Sequence, residues 1–307
     1  MAFARVIVDI ASSQVDKIFD YNIPSEFEVI KGMRVLVPFG ARVIEGIVVD
    51  VCDKTEVTGH KIKNIIKPIE NFRVITEDQF KLSEFLKEQY NIGLSDSFRL
   101  FLPSQMRSGK IKDLVKKEVT IKDETKAKEY LSKLRANAKS QIGAIYYLLE
   151  KGKVYLTELN QKFGSSAITK LKNENIVNIE EKVVFRSPYK SIDNSQSSQV
   201  VLTPLQEQVA STVSNKVGFY LLHGVTGSGK TEVYMNIIKN ALAGGKTAIM
   251  LVPEISLTPQ VLSNFRSRFG ASVAILHSGL SAGERFDEWK RILMGDAKIV
   301  VGARSAI

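Results

Sequence analysis

Phe219-Tyr-Leu-Leu-His-Gly-Val-Thr-Gly-Ser-Gly-Lys-Thr231 is the stretch on which the reading of the whole chain turns. Gly224–Thr231 matches G-x-x-x-x-G-K-[ST] in full. The apolar run Phe219–His223 before it reads as a strand, and Thr231–Leu242 after it as a helix, which is the setting a phosphate-binding loop requires. Such a loop works through its backbone. Gly224, Gly227 and Gly229 let the N–H groups of Val225, Thr226 and Ser228 converge on phosphate oxygens. The helix start adds partial positive charge. Lys230 reaches the β and γ phosphates, the Thr231 hydroxyl can complete a magnesium shell, and Glu232 follows in the first helical turn. Downstream, Thr247–Val252, Ser272–Leu276 and Lys298–Val301 read as strands, with helices around Val261–Phe269 and Glu284–Met294. Strand and helix in alternation predict a parallel sheet covered on both faces. Trp289 fits a core position better than a base-stacking platform, and His277 reads as a structurally satisfied histidine at a strand end.

Upstream, Ser187–Ser198 (Ser-Pro-Tyr-Lys-Ser-Ile-Asp-Asn-Ser-Gln-Ser-Ser) is polar and proline-marked, the clearest domain boundary in the chain. Before it, Ile142, Ile145, Tyr146 and Leu149 mark a helix ended at Lys151–Gly152. Leu156–Phe163 is a second helix, closed by Gly164. A third carries Ile168, Leu171, Lys170 and Lys172, with Ser165 or Ser166 as cap. Ile176–Glu180 and Lys182–Arg186 read as a hairpin. Three helices and a two-stranded ribbon predict a winged helix, used either to hold DNA through Lys170 and Lys172 or as a spacer or docking module. Arg107–Lys128 reads as a basic linker plus the entry to this domain.

Residues 1–70 read as short strands. Ala4, Val6, Val8 and Ile10 alternate, and Lys17–Ile23, Met33–Pro38, Val43–Val51 and Ile62–Ile69 follow, which predicts a small barrel or sandwich. Thr76–Tyr90 reads as a helix capped by Thr76, with Phe80, Leu82, Phe85, Leu86 and Tyr90 as its apolar stripe.

The chain has 307 residues, 43 lysines and arginines against 33 acidic side chains, and a formal charge of +10. The excess is uneven: −2 over residues 1–105, +8 over 106–200 and +4 over 201–307. The basic middle points to a polyanionic partner, nucleic acid before membrane. No apolar run reaches the length of a membrane span. Cys52 is the single cysteine, which excludes internal disulfides and cysteine-cluster metal sites in these residues and suits a cytoplasmic location.

In its Thr-Gly-Ser-Gly-Lys-Thr form, Gly224–Thr231 resembles motif I of superfamily 2 helicases. Leu251-Val-Pro-Glu-Ile-Ser-Leu-Thr-Pro-Gln260, Leu276-His-Ser-Gly-Leu280, the Glu284-Arg285 to Trp289 spacing and Val301-Gly-Ala-Arg-Ser-Ala-Ile307 resemble one family in particular, the PriA family of bacterial replication-restart helicases. The resemblance covers essentially the whole chain. It implies a multidomain α/β protein: a 3′-end DNA-binding domain at 1–105, a winged helix with its basic linker at 106–190 and a RecA-like helicase lobe at 191–307. Leu202-Thr-Pro-Leu-Gln206 resembles the family's adenine-reading motif, with Gln206 as the contact. Phe19-Asp20-Tyr21, Val37-Pro-Phe-Gly40 and Ile62-Lys63 resemble its pocket for a 3′-terminal nucleotide. There an ionised Asp20 accepts a hydrogen bond from a free 3′-hydroxyl and repels a phosphate, Phe19 packs on base or sugar, Gly40 permits close approach and Lys63 pairs with a phosphate. The bland alternative for these residues is ordinary barrel structure.

The resemblance further implies ATP with Mg2+, 3′-5′ unwinding of branched forks, primosome proteins and single-stranded DNA-binding protein as partners, and no membrane. The family's Asp-Glu-Glu-His motif, its second motor lobe with the arginine finger, and its zinc-binding cysteines all lie past the last residue here. The expectation is therefore a chain that binds nucleotide without turning it over, since an arginine finger alone is worth about 10³–10⁵ in rate. The alternative function is a non-hydrolysing fork and 3′-end binder. A sheet ending after its fourth strand is expected to leave an open edge.

Overall fold

The computed structural model describes residues 2–10, 17–57, 62–103, 106, 111, 113–135, 137–186, 201–253 and 258–306. The Ser187–Ser198 boundary, Arg107–Lys110 and Glu254–Leu257 of the Leu251–Gln260 motif lie outside these. The chain divides into two compact units, residues 112–190 and the remainder. It is mixed α/β, with two antiparallel sheets and one parallel sheet.

In the first unit, β1 (Phe3–Val8), β2 (Ile18–Asn22), β3 (Arg34–Phe39), β4 (Arg42–Cys52) and β5 (Lys67–Pro68) form an antiparallel sheet in the order β2-β1-β4-β3-β5. The alternation read in β1 holds: Ala4, Val6 and Val8 are buried and pack with Tyr21, Val35, Val37, Val48 and Ile65. The sheet curls until its edges meet. Asn22 N–H donates to the Lys63 carbonyl (2.9 Å), and Ile65 N–H to that of Asn22 (3.0 Å). The long strand expected over Ile62–Ile69 is therefore corrected. Residues 63–65 close against β2, and only Lys67–Pro68 pairs with β3, because Pro68 has no N–H to extend the ladder. Gly46 on β4 is forced by closeness: a Cβ there would lie 2.4 Å from Val6 Cγ1, beside an irregularity in β1.

The other face of the sheet is covered by α1 (Glu77–Tyr90) and α2 (Leu94–Phe101), through Ile7, Ile47, Val74, Ile75, Phe80, Phe98 and Leu102. Thr76 caps α1 as expected, in a capping box with Gln79. The expected stripe is corrected. Phe80 and Ser83 are the buried positions, while Leu82, Phe85 and Tyr90 are exposed, because α1 rests on the sheet along a narrow line rather than a broad face. Sequence reading missed α2 altogether.

In the second unit, β6 (Val115–Ile121), α3 (Glu124–Lys133), α4 (Lys139–Lys151), β7 (Lys153–Tyr155), α5 (Leu156–Phe163), α6 (Ser165–Asn173) and β8 (Val177–Val183) follow one another. The three helices read at 142–173 are α4, α5 and α6, and they bury Ile145, Leu148, Leu159, Ile168 and Leu171 together. Three expectations are corrected. The residues read as a hairpin form one strand, β8, whose partner is β6, in a sheet ordered β7-β6-β8. Within the basic stretch, Val115–Ile121 is a strand and Glu124 starts a helix, so its described part is the entry to the second unit and is not linker. The ladder tolerates these charges because ion pairs cross it, Lys117 of β6 to Glu181 of β8 at 3.7 Å and Lys182 of β8 to Glu118 of β6 at 3.5 Å, although Lys116 lies opposite Lys182. Gly164, not Ser165 or Ser166, is the N-cap of α6, with no side-chain cap bond.

The rest of the first unit is α7 (Pro204–Asn215), α8 (Lys230–Ala243), β9 (Ala248–Leu251), α9 (Pro259–Phe269), β10 (Val273–Leu276), α10 (Ala282–Leu293) and β11 (Ile299–Gly302). β9, β10 and β11 form a parallel sheet ordered β10-β11-β9, with β11 wholly buried at its centre. The buried Glu288 carboxylate ties α10 to β10, accepting from Ile275 N–H (3.0 Å) and from Arg291 (2.9 Å). Phe219–His223, expected as a fourth strand, has no paired strand among the described residues, and Phe219 and Leu221 are almost fully exposed. An apolar run becomes a strand only when a neighbour completes its ladder. Ile249 and Leu251 on β9 are exposed in the same way. Trp289, read as a core residue, is half-buried and packs against the N-terminal cluster of Ile7, Ile47 and Phe98.

Candidate nucleotide and nucleic-acid sites

The phosphate loop has the conformation its glycines predict. Gly227 and Gly229 have φ of 82° and 79°, where a side chain is strained. At Gly224 a Cβ would lie 2.7 Å from Ser228 Oγ, so a side chain there would make Ser228 turn its hydroxyl away. Gly229 caps α8 in the left-handed region and offers no side-chain acceptor, so the helix start keeps N–H groups for an anion. Lys230 lies within the loop, its ammonium donating to the carbonyls of Gly224 (2.7 Å) and Val225 (2.8 Å). A polyphosphate entering the loop exchanges those carbonyls for charged oxygens. Thr231 is exposed beside it. Mg2+ in phosphate sites takes one or two protein oxygens and fills its shell with phosphate and water, a demand that one exposed hydroxyl fits.

Gln206, expected at adenine, is committed to the protein. Its Oε1 accepts from Thr203 N–H (2.9 Å), and its Nε2 donates to the Ser228 carbonyl (3.1 Å). It thereby ties the start of α7 to the phosphate loop. Glu232 faces α9, where Arg268 donates to it at 2.6 Å. Arg268 was missed in the sequence because nothing local marks a partner 36 residues away. His277 is satisfied as read, its Nδ1 accepting from Gly279 N–H at 3.1 Å; burial, then Arg285, pushes its pKa below the usual range.

The residues read as a 3′-end pocket are gathered only in part. Phe19 and Tyr21 sit opposite Val6 and Ala4 and share the core face of the curled sheet. Phe19 meets Phe39 edge-on, with 5.2 Å between ring centres. The Tyr21 hydroxyl donates to the Pro38 carbonyl (3.3 Å), and burial raises its pKa. Lys63 donates to the Gly40 carbonyl (3.4 Å). These four positions therefore converge at the β3–β4 turn. Asp20 lies between Phe19 and Tyr21, so the pleat of β2 turns its carboxylate to the opposite face. There the Thr55 hydroxyl donates to it.

On α6, Ala167, Ile168 and Leu171 are buried, and Lys170 and Lys172 are exposed. Neither has a carboxylate within 4.0 Å among the described residues, whereas Lys117, Lys128, Lys162 and Lys182 are all paired. The free cations of this unit thus include the two read from sequence. Replacing Lys170 and Lys172 together by Ala should weaken DNA binding at every sequence and lower the slope of log K against log salt by about 1.8, at about 0.9 for each phosphate that is no longer neutralised. An unchanged slope in a salt titration would remove α6 from the interface.

A phosphate loop opening a helix next to a parallel sheet, in a chain that also carries a separate antiparallel sheet, defines the class: a nucleotide-binding lobe coupled to an additional module. Residues 203–307 match the DEAD/DEAH box helicase family, and residues 5–103 match the 3′DNA-binding domain of PriA. The chain is 34% identical, across its whole length, to the replication restart protein PriA of Bacillus subtilis (strain 168), of which it covers 47%. It is 34% identical to that of Haemophilus influenzae over 95% of this chain and 40% of that protein, and 51% identical to that of Treponema pallidum over 32% of this chain and 15% of that protein. The chain therefore spans less than half the length of these relatives. The resemblance to replication-restart helicases read from the motifs holds.

Proposed function

We propose that the chain is the DNA-end-recognising and ATP-binding part of a 3′-5′ DNA helicase that acts at stalled or branched forks and starts primosome assembly for replication restart. The observation that carries this reading is the pairing, in one chain, of a 3′DNA-binding match over residues 5–103 with a helicase match over 203–307. In this reading residues 1–105 are a small barrel that holds the nascent 3′ end, 106–190 a winged helix on the duplex and 191–307 a RecA-like lobe. ATP lies on Gly224–Thr231 with Mg2+ at Thr231. Primosome proteins and single-stranded DNA-binding protein are the partners, and the site of action is the cytoplasm. No helix among the described residues is long and apolar enough to cross a membrane.

The second reading is a fork and 3′-end binder that does not hydrolyse ATP. It shares the phosphate loop and the 3′DNA-binding match with the first reading and differs from it in turnover alone. ATP turnover on forked DNA separates the two.

Strand-end recognition has its own test. A fork with a nascent 3′-hydroxyl should bind roughly tenfold or more tightly than the same fork with a 3′-phosphate, as expected for a hydrogen bond to a charged group of about 1.5 kcal/mol or more. Asp20→Asn should erase the preference, since an amide can donate to phosphate. Equal binding of both ends by the native chain, in fluorescence anisotropy, would overturn this reading of Asp20.

A further inference from the structure

Thr55 stands three residues past the end of β4, in a segment that sequence reading did not single out. Cys52 at the end of β4 lies opposite Phe3, which in turn lies opposite Asn22 of β2. The chain leaving β4 therefore passes the end of β1 and comes back beside β2, where the Thr55 hydroxyl donates to Asp20 Oδ2.

The chemistry of that contact is specific. A hydroxyl has one proton to give. The Thr55 oxygen already accepts from Val57 N–H at 3.1 Å, a local turn that fixes where the oxygen sits and leaves its proton for Asp20. Threonine is also stiff at χ1, so the donor holds one direction. Arg5, opposite Asp20 in the register, is paired with Asp50 at 3.7 Å. Among the described residues, Thr55 is the only side chain that hydrogen-bonds Asp20. One carboxylate oxygen is thus pinned by Thr55, and the half-exposed carboxylate keeps a second oxygen with open lone pairs.

We propose that Thr55 is a positioning residue for strand-end recognition: by holding one oxygen of Asp20, it aims the other at the 3′-hydroxyl of a bound strand. This rests on the reading of Asp20 given above and adds a residue to it. An unpinned, half-exposed carboxylate rotates freely and must be ordered when the end binds, a cost that falls on affinity for the hydroxyl end. A 3′-phosphate gains nothing from an aimed carboxylate, so its binding is insensitive to Thr55.

The experiment uses the full chain and two forks that differ only in a 3′-hydroxyl or 3′-phosphate, with a blunt duplex as control. Thr55→Val keeps the shape and removes the donor; Thr55→Ala provides a second test without β-branching. Both should weaken hydroxyl-end binding about 5-fold, the loss of one ordinary hydrogen bond, and shift phosphate-end and duplex binding by less than about 2-fold. Thr55→Ser should restore the hydroxyl-end preference. A merely structural role would lower all three affinities together and move the unfolding midpoint. An unchanged preference in Thr55→Val overturns the proposal, and so does tighter binding of the hydroxyl end, which would make Thr55 a competitor for the carboxylate. If Thr55→Val has no effect while Asp20→Asn erases the preference, the inference fails and the reading of Asp20 stands. If the native chain shows no preference, both fail.

Discussion

Lys230→Ala removes nucleotide binding while leaving fork binding intact. The loop explains why the loss should be nearly complete. Its backbone supplies partial charges from N–H groups and the start of α8, but Lys230 carries the only full positive charge in Gly224–Thr231. A triphosphate entering without it meets the carbonyls of Gly224 and Val225, which now hold the ammonium at 2.7 and 2.8 Å and would be left facing anionic oxygens. A charge-assisted contact of about 3 kcal/mol corresponds to a loss of more than 100-fold. Titration with a fluorescent ATP analogue and Mg2+ measures it, and the fork titration above serves as control. ATP affinity equal to that of the native chain would refute the phosphate-loop assignment. Loss of fork binding alongside would mean that Lys230 supports the fold and not the ligand. Arg268→Met is a useful companion, because it frees Glu232 from its 2.6 Å partner and returns an unpaired carboxylate to the first turn of the same helix.

What the sequence disclosed and what it concealed follow one physical line. Local signals were legible. The glycines of the phosphate loop, the Thr76–Gln79 capping box and the bounds of α5 depend on residues within a turn or two of each other. The buried runs of β10 and β11 announce themselves because a parallel sheet covered on both faces has no polar side to hide them. Long-range partnerships were not legible. β6 looked like a basic linker because the acid that answers Lys117 is on β8, more than sixty residues on. Thr55–Asp20, Arg268–Glu232 and Gln206–Ser228 join residues 35, 36 and 22 apart, and no composition or period marks them. The candidate site shows the same division. The phosphate-loop residues were named from motif, whereas the contacts of Gln206 and Glu232 within the protein came only with the fold. Phe219–His223 shows the converse error, since its apolar pattern is that of a strand, but pattern does not supply a neighbour.

Arg34→Met should cost the N-terminal sheet about 3–5 kcal/mol, the usual penalty for removing one partner from a buried ion pair. Arg34 is 4% exposed. It grips Glu70 with two nitrogens, donates to Glu45 at 3.0 Å and donates to the Met106 carbonyl at 3.0 Å. Methionine fills the volume but strands both carboxylates. Burial already raises the pKa of Glu45, against the pull of Arg34, and Asp9 and Glu70 push it the same way. A carboxylate raised in the folded state opposes folding where it is ionised in both states, and the opposition fades as pH falls through its folded value. Removing Arg34 removes the one influence that lowers it, so the variant's deficit should be largest at neutral pH and shrink toward pH 4. Trp289, the single tryptophan, packs on the cluster of Ile7, Ile47 and Phe98 and reports on this sheet directly. Urea unfolding followed by its fluorescence should show a lower midpoint at unchanged slope, partly recovered by Glu45→Gln in the same background. A deficit independent of pH would assign the loss to packing and the Met106 contact instead of the stranded charge, and an unchanged midpoint would show that the ion pairs of Arg34 contribute no net stability.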